Sequence, residues 1–422
     1  MPSFLMFFLV LTLVLGLVNA YLYRWAVRAF SLSARARRGL TLLLALTLLG
    51  MIFGRVAARA LPEAPLRGLI VVASTVQLSV LISFFLLMGM DAVLLVRKAI
   101  ERAGRLLRRT APATGEAPGE GAAVSPALPA GPAVPRRTLL VQAAASSAFL
   151  IGGSSSVYGA IAGRHDYSIE DVPVAIPGLP RALDGFTIVQ LSDVHIGPFV
   201  DEAELRAAEH FVARARPDLI VLTGDLIDSD GRLAYKLGRF VRRLSPIARE
   251  GVVAISGNHD FYSGIDATVA ALEGGGARVL RNRGLVIGEP RAGFALLGVD
   301  DVRAPRFVPG GGPDLDAALA TLPAVGGRLS GASDLPRILL CHNPVYFEKA
   351  AGRVALQLSG HTHGGQINLF VRPADWVLKN GWVAGSYHLR NSQLYVNRGF
   401  GTAGPPARIG APPEITRIVL TA

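Results

Sequence analysis

Cysteine is almost missing from this chain: Cys341 stands alone in 422 residues, so no intrachain disulfide can form and no thiolate cluster can hold zinc. Negative charge is nearly missing from the first part. Of 43 Lys+Arg and 31 Asp+Glu, residues 1–165 hold 17 and 5, whereas residues 166–422 hold 26 of each. The formal charge of +12 therefore belongs wholly to the first part, and the neutral remainder lacks the basic excess of a general nucleic-acid binder. Histidine is missing from the first part too, apart from His165 at its edge; the other seven follow.

What the first part does have is long apolar runs. Phe4 to Tyr23 carries no charge and is long enough to cross a bilayer as a helix; without a charged start or a convincing cleavage site it does not read as a signal peptide. Gly39 to Gly54 is shorter and needs Arg55 to snorkel outward, and Gly68 to Met90 forms a third span. Asp91, at the end of that span, reads as an interfacial residue. Arginines crowd the first connection (Arg24, Arg28, Arg35, Arg37, Arg38) and the third (Arg97 to Arg109), while the second holds few. The positive-inside rule then places connections one and three in the cytoplasm and the N-terminus outside.

Residues 110–135 are a Pro/Ala/Gly/Glu run with no apolar period, which reads as a disordered linker. Arg136-Arg137 then opens an uncharged stretch from Thr138 to Gly163. It is a fourth membrane helix with a basic flank or an internal twin-arginine-like export segment, with Ala160-Ile161-Ala162 as a small-x-small cleavage form. Both readings carry residue 165 onward across the membrane, so residues 1–109, 110–135, 136–164 and 165–422 are expected as successive units. A transporter is a poor reading of so few spans with so few ionisable residues.

From Asp184 short apolar runs alternate with amphipathic ones. Strands are expected at Phe186–Leu191, Asp218–Thr223 and Val252–Ile255, and helices at Ala203–Ala215, Leu233–Leu244 and Asp266–Leu272, which is the signature of βαβ units. Antiparallel strands are expected within 277–299, an insertion with one short helix over 301–335, and further strands at Pro336–Cys341, Val354–Ser359, Tyr387–Leu389, Leu394–Asn397 and Ile415–Leu420.

The apolar runs end abruptly in metal-compatible side chains: Asp193-Val194-His195, Gly224-Asp225, Gly257-Asn258-His259-Asp260, His342 and Gly360-His361-Thr362-His363. Each ending alone is an ordinary turn, cap or core pair. Together Asp193, His195, Asp225, Asn258, His342, His361 and His363 offer four imidazoles, two carboxylates and an amide, about twice what one ion takes. Oxygen and nitrogen ligands without sulfur favour Mn, Fe or Zn, with Mn preferred, and a pair of such ions holds phosphoryl oxygens and activates a bridging water. A bridging ligand needs two oxygens, which Asp225 has and Asn258 lacks. Asp228, Asp230, Asp300, Asp301, His165, His210 and His388 read as structural or surface residues.

These five blocks, in this order over about 185–365, resemble the calcineurin-like metallophosphoesterases. The segments Asn397–Pro406 and Gly410–Glu414 are further similar to the membrane-associated branch of that family, which includes lipid-directed phosphodiesterases. The resemblance implies a four-layer αββα sandwich of two mixed sheets. It implies that Asp193, His195 and His363 hold one divalent ion, that Asn258, His342 and His361 hold the other, and that Asp225 bridges them. It also implies that His259 serves the leaving oxygen as acid or charge stabiliser, oriented by Asp260.

The expected activity is a membrane-anchored phosphoesterase with its site outside the cytoplasm. Its substrate would be a phosphate ester such as a phospholipid or a nucleotide-linked lipid. A UDP-2,3-diacylglucosamine-type pyrophosphate hydrolase and a non-catalytic metal-dependent sensor or scaffold are the alternatives.

Overall fold

The computed structural model describes residues 2–57, 63–109, 135–290, 292–323 and 335–422. The expected linker lies outside them except for Pro135, as does much of the second membrane connection and the end of the 301–335 insertion. Four helices, α1 (Pro2–Phe30), α2 (Ala34–Ala57), α3 (Glu63–Arg109) and α4 (Arg136–Ile161), are long and apolar enough to cross a membrane. They follow the four apolar runs and overrun them, because the flanking arginine segments keep helical backbone.

Contacts divide the chain into two units, Met1–Phe53 with Val72–Ser156, and Gly54–Val71 with Val157–Ala422. The first packs Leu22, Trp25, Val80, Leu87 and Ala145 around one apolar cluster. Its buried polar groups find one another: Gln77 donates to Thr47 at 2.9 Å and accepts from Asn19 at 2.9 Å. Asp91 accepts from Tyr21 at 2.7 Å and from the Trp25 indole at 3.3 Å, so the carboxylate is tied to aromatic donors rather than left alone among apolar side chains.

The second unit is built on two six-stranded sheets. The strands are β1 (Ser168–Ala175), β2 (Thr187–Leu191), β3 (Leu219–Thr223), β4 (Val252–Ile255), β5 (Ala277–Val279), β6 (Arg283–Glu289), β7 (Ala292–Gly298), β8 (Arg337–Leu340), β9 (Leu356–Ser359), β10 (Gly385–Leu389), β11 (Ser392–Val396) and β12 (Glu414–Thr421). One sheet has the order β1-β12-β2-β3-β4-β5 and the other β10-β11-β9-β8-β7-β6; both are mixed.

Strands such as Leu219-Ile220-Val221-Leu222 are apolar at every position because both faces are covered. Ile220 and Leu222 meet helices α5 (Glu202–Arg214), α6 (Ala234–Leu244) and α7 (Asn258–Gly274), while Leu219 and Val221 meet Leu296, Ile338 and Leu356 of the other sheet. On the far side Leu297 and Leu339 pack on α8 (Leu315–Ala320). The layers run helix, sheet, sheet, helix, as expected from the resemblance.

Two expectations need correction. The strand β1 escapes the sequence because Glu170, Asp171 and Pro173 interrupt its alternation; it is tolerated at a sheet edge, paired parallel to β12. Helix α7 starts at Asn258 rather than near Asp266, so Asn258, His259 and Asp260 form its first turn, and a kink at Gly264 (φ 109°) separates them from the amphipathic part.

The two sheets are also joined by polar groups. The fully buried carboxylate of Glu414 on β12 accepts from Tyr395 and Thr416 and pairs with Arg398 at 3.1 Å, while Asn397 donates to Thr416 at 2.7 Å. Removing that carboxylate strands several buried donors at once. Glu414→Ala is expected to cost about 3–5 kcal/mol and Tyr395→Phe about 1 kcal/mol, read as loss of thermal stability of the detergent-solubilised chain. Equal losses would mean that the carboxylate carries no more than a single hydrogen bond.

Candidate metal centre

The site lies at the carboxyl ends of β2, β3, β4, β8 and β9, where ligands gather in open α/β sheets. The pairing of β2 with β3 continues past their ends: Asp193 donates its backbone N–H to Gly224, His195 to Asp225, and Ile196 to Leu226. Asp193, His195, Asp225, His361 and His363 all hold positive φ, between 52° and 73°. Non-glycine residues pay for that conformation, and here it turns the side chains of closely spaced residues toward one centre.

Glycines sit where a side chain would collide. A Cβ on Gly360 would strike Ser192 Oγ and the Asp193 carboxylate, and one on Gly257 would strike Asp225.

The expected ligands form two trios of ligand atoms, Asp193 with His195 and His363, and Asp225 with His342 and His361, and a third trio joins His195 to Asp228 and His259. The Nε2 atoms of His195 and His363 are 3.1 Å apart, and so are His342 Nε2 and His361 Nδ1. Asp225 Oδ2 is 3.2 Å from His342 Nε2 and 3.8 Å from His195 Nε2, which puts this carboxylate between the first two trios. All the ligand residues expected from the sequence are thus gathered in one region, with Asn258 buried at the start of α7.

The residues fit divalent cations. Asn258 Oδ1 is among the buried side-chain atoms with no hydrogen-bond partner, and it lies next to His259, whose backbone N–H donates to Asp225, so its lone pairs are free for a cation. Burial, then the charge of His342, pushes His361 down to about 3, and burial with the charges of His195 and Arg408 holds His363 well below the usual imidazole range. Both rings are neutral, so their lone pairs are available. Burial opposes charge on His342, but Asp225 beside it lifts that ring well above the usual range; a proton and a cation are alternatives at such a position.

Several supports were not expected from the sequence. Ser192 Oγ donates to Asp193 at 2.6 Å, and the His361 backbone N–H also points at that carboxylate. Asp228 is not the inert residue it looked: its carboxylate stands 3.5 Å from His195 Nδ1, and its carbonyl accepts from His259 Nδ1. The parallel bridge between Ile196 and Ile227 creates this proximity, and no local pattern announces it.

Arg408 is fully buried, and its guanidinium donates to the carbonyls of Gly399, Gly401 and Ala411 behind His363. Burial lowers it to about 10, which leaves it charged at neutral pH. At the rim Arg303 donates to Tyr262 at 3.1 Å, whose ring lies 5.1 Å from His259 and 5.0 Å from Phe307.

The expected role of Asp260 changes. Its carboxylate accepts from the backbone N–H groups of Gly257, Leu226 and Ile227, at 2.9–3.1 Å, and it is the carbonyl of Asp228 that holds His259. As the third residue of α7 it reaches back to cap its own helix and clamps the loops after β3 and β4 together. Burial and the Asp225 charge push it up to about 7, with the backbone donors pulling the other way.

The model for calcineurin-like phosphoesterases matches residues 186–365, the span that carries this geometry. The chain belongs to the calcineurin-like metallophosphoesterases. It is 34% identical to the uncharacterized metallophosphoesterase YkuE of Bacillus subtilis over 57% of this chain and 81% of that one. It is 32% identical to a zebrafish (Danio rerio) transmembrane protein with metallophosphoesterase domain over 65% of this chain and 62% of that one. The bovine (Bos taurus) protein of the same name is 33% identical over 63% of this chain and 60% of its own length, so the chain spans about three fifths of these two relatives. Members of this family are hydrolases of phosphoric esters that work with divalent metals, and the relatives together with the four apolar helices make this a membrane protein.

Since Asp260 satisfies three buried backbone donors, Asp260→Ala is expected to lower thermal stability by several degrees and to lose bound metal with it. Asp260→Asn, which keeps one acceptor oxygen, loses less. Unchanged stability with reduced turnover in Asp260→Ala would return Asp260 to the role of orienting His259.

Proposed function

We propose that this protein is a membrane-anchored phosphoesterase whose two divalent ions, Mn preferred to Fe or Zn, are held at the strand ends by the residues described above. The observation that supports it most is Asp225 set between two trios of imidazole and carboxylate ligands, with the orphaned oxygen of Asn258 beside them. Asp193, His195 and His363 would hold one ion and Asn258, His342 and His361 the other, with Asp225 available to both. Bound there, the ions neutralise the phosphoryl oxygens and activate the attacking water.

The protein's own groups do the rest. Ser192 and the His361 N–H fix the Asp193 carboxylate, and Asp228 fixes the ring of His195. His259 Nδ1 is spent on the Asp228 carbonyl, which leaves Nε2 of a partly exposed ring to face substrate and deliver a proton to the departing oxygen. Arg303, Tyr262 and Phe307 line the approach on that side with one cation and two rings, suited to the uncleaved part of a phosphodiester.

The substrate class we favour is a phospholipid or a nucleotide-linked lipid, because the catalytic unit follows a membrane helix after only residues 162–167. The arginine clusters in connections one and three and before Thr138 favour a catalytic unit outside the cytoplasm.

His259→Ala is expected to keep its metal while turnover of an alkyl phosphodiester falls by roughly 10²–10⁴-fold. The loss shrinks for a nitrophenyl ester, whose leaving group needs little protonation. Metal loss in proportion to activity would make His259 a ligand instead, and equal losses for both esters would make it a charge stabiliser. A reporter active only outside the cytoplasm, fused after Ala422, is expected to be active. Activity from a cytoplasm-only reporter would reverse the orientation.

A further inference from the structure

The segment that follows the Gly360–Gln366 turn is the most apolar exposed surface among the described residues from 162 onward. Seven large apolar side chains are exposed over that range, and four of them fall within 370–377: Phe370 at 71%, Val371 at 52%, Trp376 at 74% and Val377 at 81%. The other three, Tyr235, Tyr262 and Phe307, are scattered or line the metal centre.

Consecutive residues Trp376 and Val377 are both more than 70% exposed. With Asp375 they make three consecutive exposed residues, and no residue of this short turn, Ala374–Val377, is buried, so it is not packed into the domain. A soluble surface does not leave a tryptophan, a phenylalanine and two valines uncovered together without a use.

We propose that residues 369–378 are a docking loop for the interfacial zone of a phospholipid bilayer, with Phe370, Val371, Trp376 and Val377 immersed among the headgroups and upper acyl chains. Four arguments commit the loop to a lipid surface. The chain carries four helices apolar enough to span a membrane, so a bilayer is always within reach of this unit, at an effective concentration no soluble partner matches. The composition is that of an interfacial element, an aromatic pair with aliphatic neighbours and basic residues at its edges.

The charges on the loop are also already paired, Arg372 with Asp375 at 2.8 Å and Lys379 with Glu348 at 2.6 Å, so little unpaired charge enters the interface. Finally, the patch is confined to one short segment, flanked in sequence by the polar residues Asn368, Lys379 and Asn380. It is not the broad self-complementary face that a second copy of the chain requires.

The loop adjoins the centre it serves. A cavity of about 500 Å³ is lined by Phe370 and Arg372 from the loop, by Arg398 and Pro412, and by Gly364, the neighbour of His363. A phosphate headgroup drawn from the surface therefore meets two guanidinium groups on the way to the ligand cluster.

The proposal is separable from the catalytic reading because it is tested by depth and not by turnover. Cys341 is the chain's only cysteine and is buried, so a thiol at Val377→Cys is the reactive one in the full chain. The labelled protein, carrying a polarity-sensitive fluorophore, is reconstituted into phosphatidylcholine–phosphatidylglycerol vesicles with or without a nitroxide on the upper acyl chain. Emission at position 377 should shift to the blue and be quenched severalfold by the nitroxide lipid. A probe at the exposed Tyr235→Cys on α6 should show neither.

Water-like emission at 377, or equal quenching at both positions, overturns the proposal. So does fluorophore self-quenching at 377 that persists as the protein-to-lipid ratio is lowered, since that assigns the patch to a second copy of the chain. Phe370→Ser combined with Trp376→Ser should lower the quenching at 377 while leaving the melting temperature unchanged. Unchanged quenching in that variant also overturns it.

Discussion

The metal centre depends on one electrostatic constraint: lone pairs and negative charges are forced together where water cannot separate them. Ring nitrogens of different histidines face one another at 3.1 Å in two places, and the Asp225 carboxylate stands between them. In a buried setting such groups repel unless something positive is shared among them. The surrounding fold resists that repulsion with positive-φ backbone at five ligand positions and with glycines that leave no room for retreat. The arrangement is destabilising when considered alone, and cations convert it into a source of binding energy.

Behind this centre the structure is reinforced by residues that are not among the candidate ligands. Asp260 closes the loops after β3 and β4 through three backbone donors, and Arg408 gathers the carbonyls of Gly399, Gly401 and Ala411 from the opposite side. Both are buried ionisable groups whose partners are chiefly backbone, with the ring of His363 also 3.3 Å from Arg408, and such burial is costly unless the polar atoms are matched. Their effect is rigidity: the ligands are held by a frame that does not have to reorganise when charge develops on a phosphoryl group.

Much of this was legible in the chain. The strands β2, β3, β4, β8 and β9 announce themselves as apolar runs, and each stops at a side chain that could bind metal, so the ligand set could be read from where the runs end. The membrane helices were legible from length and charge alone. What escaped are features created by tertiary contact. Asp228 acquires a role because the Ile196–Ile227 bridge lays one loop beside another. The resemblance implied that Asp260 orients His259, whereas its carboxylate turns back onto the backbone at the start of its own helix, since helical geometry sends neighbouring side chains in different directions. Strand β1 hid behind its charges because an edge strand needs only one apolar face.

The order of one sheet has a consequence for how the domain is made. Strand β12, residues Glu414–Thr421, lies between β1 and β2 and supplies the hydrogen bonds of both. Until that segment leaves the ribosome, β1 has no neighbour and β2 is a bare edge. The sheet is a clasp that the start of the domain cannot fasten without its final strand. Pairings this distant in sequence form slowly. The ligand-bearing strands can therefore pair while still unsealed, and the rear wall of the centre, Arg408 and the Glu414 network included, is completed only once β12 has joined the sheet.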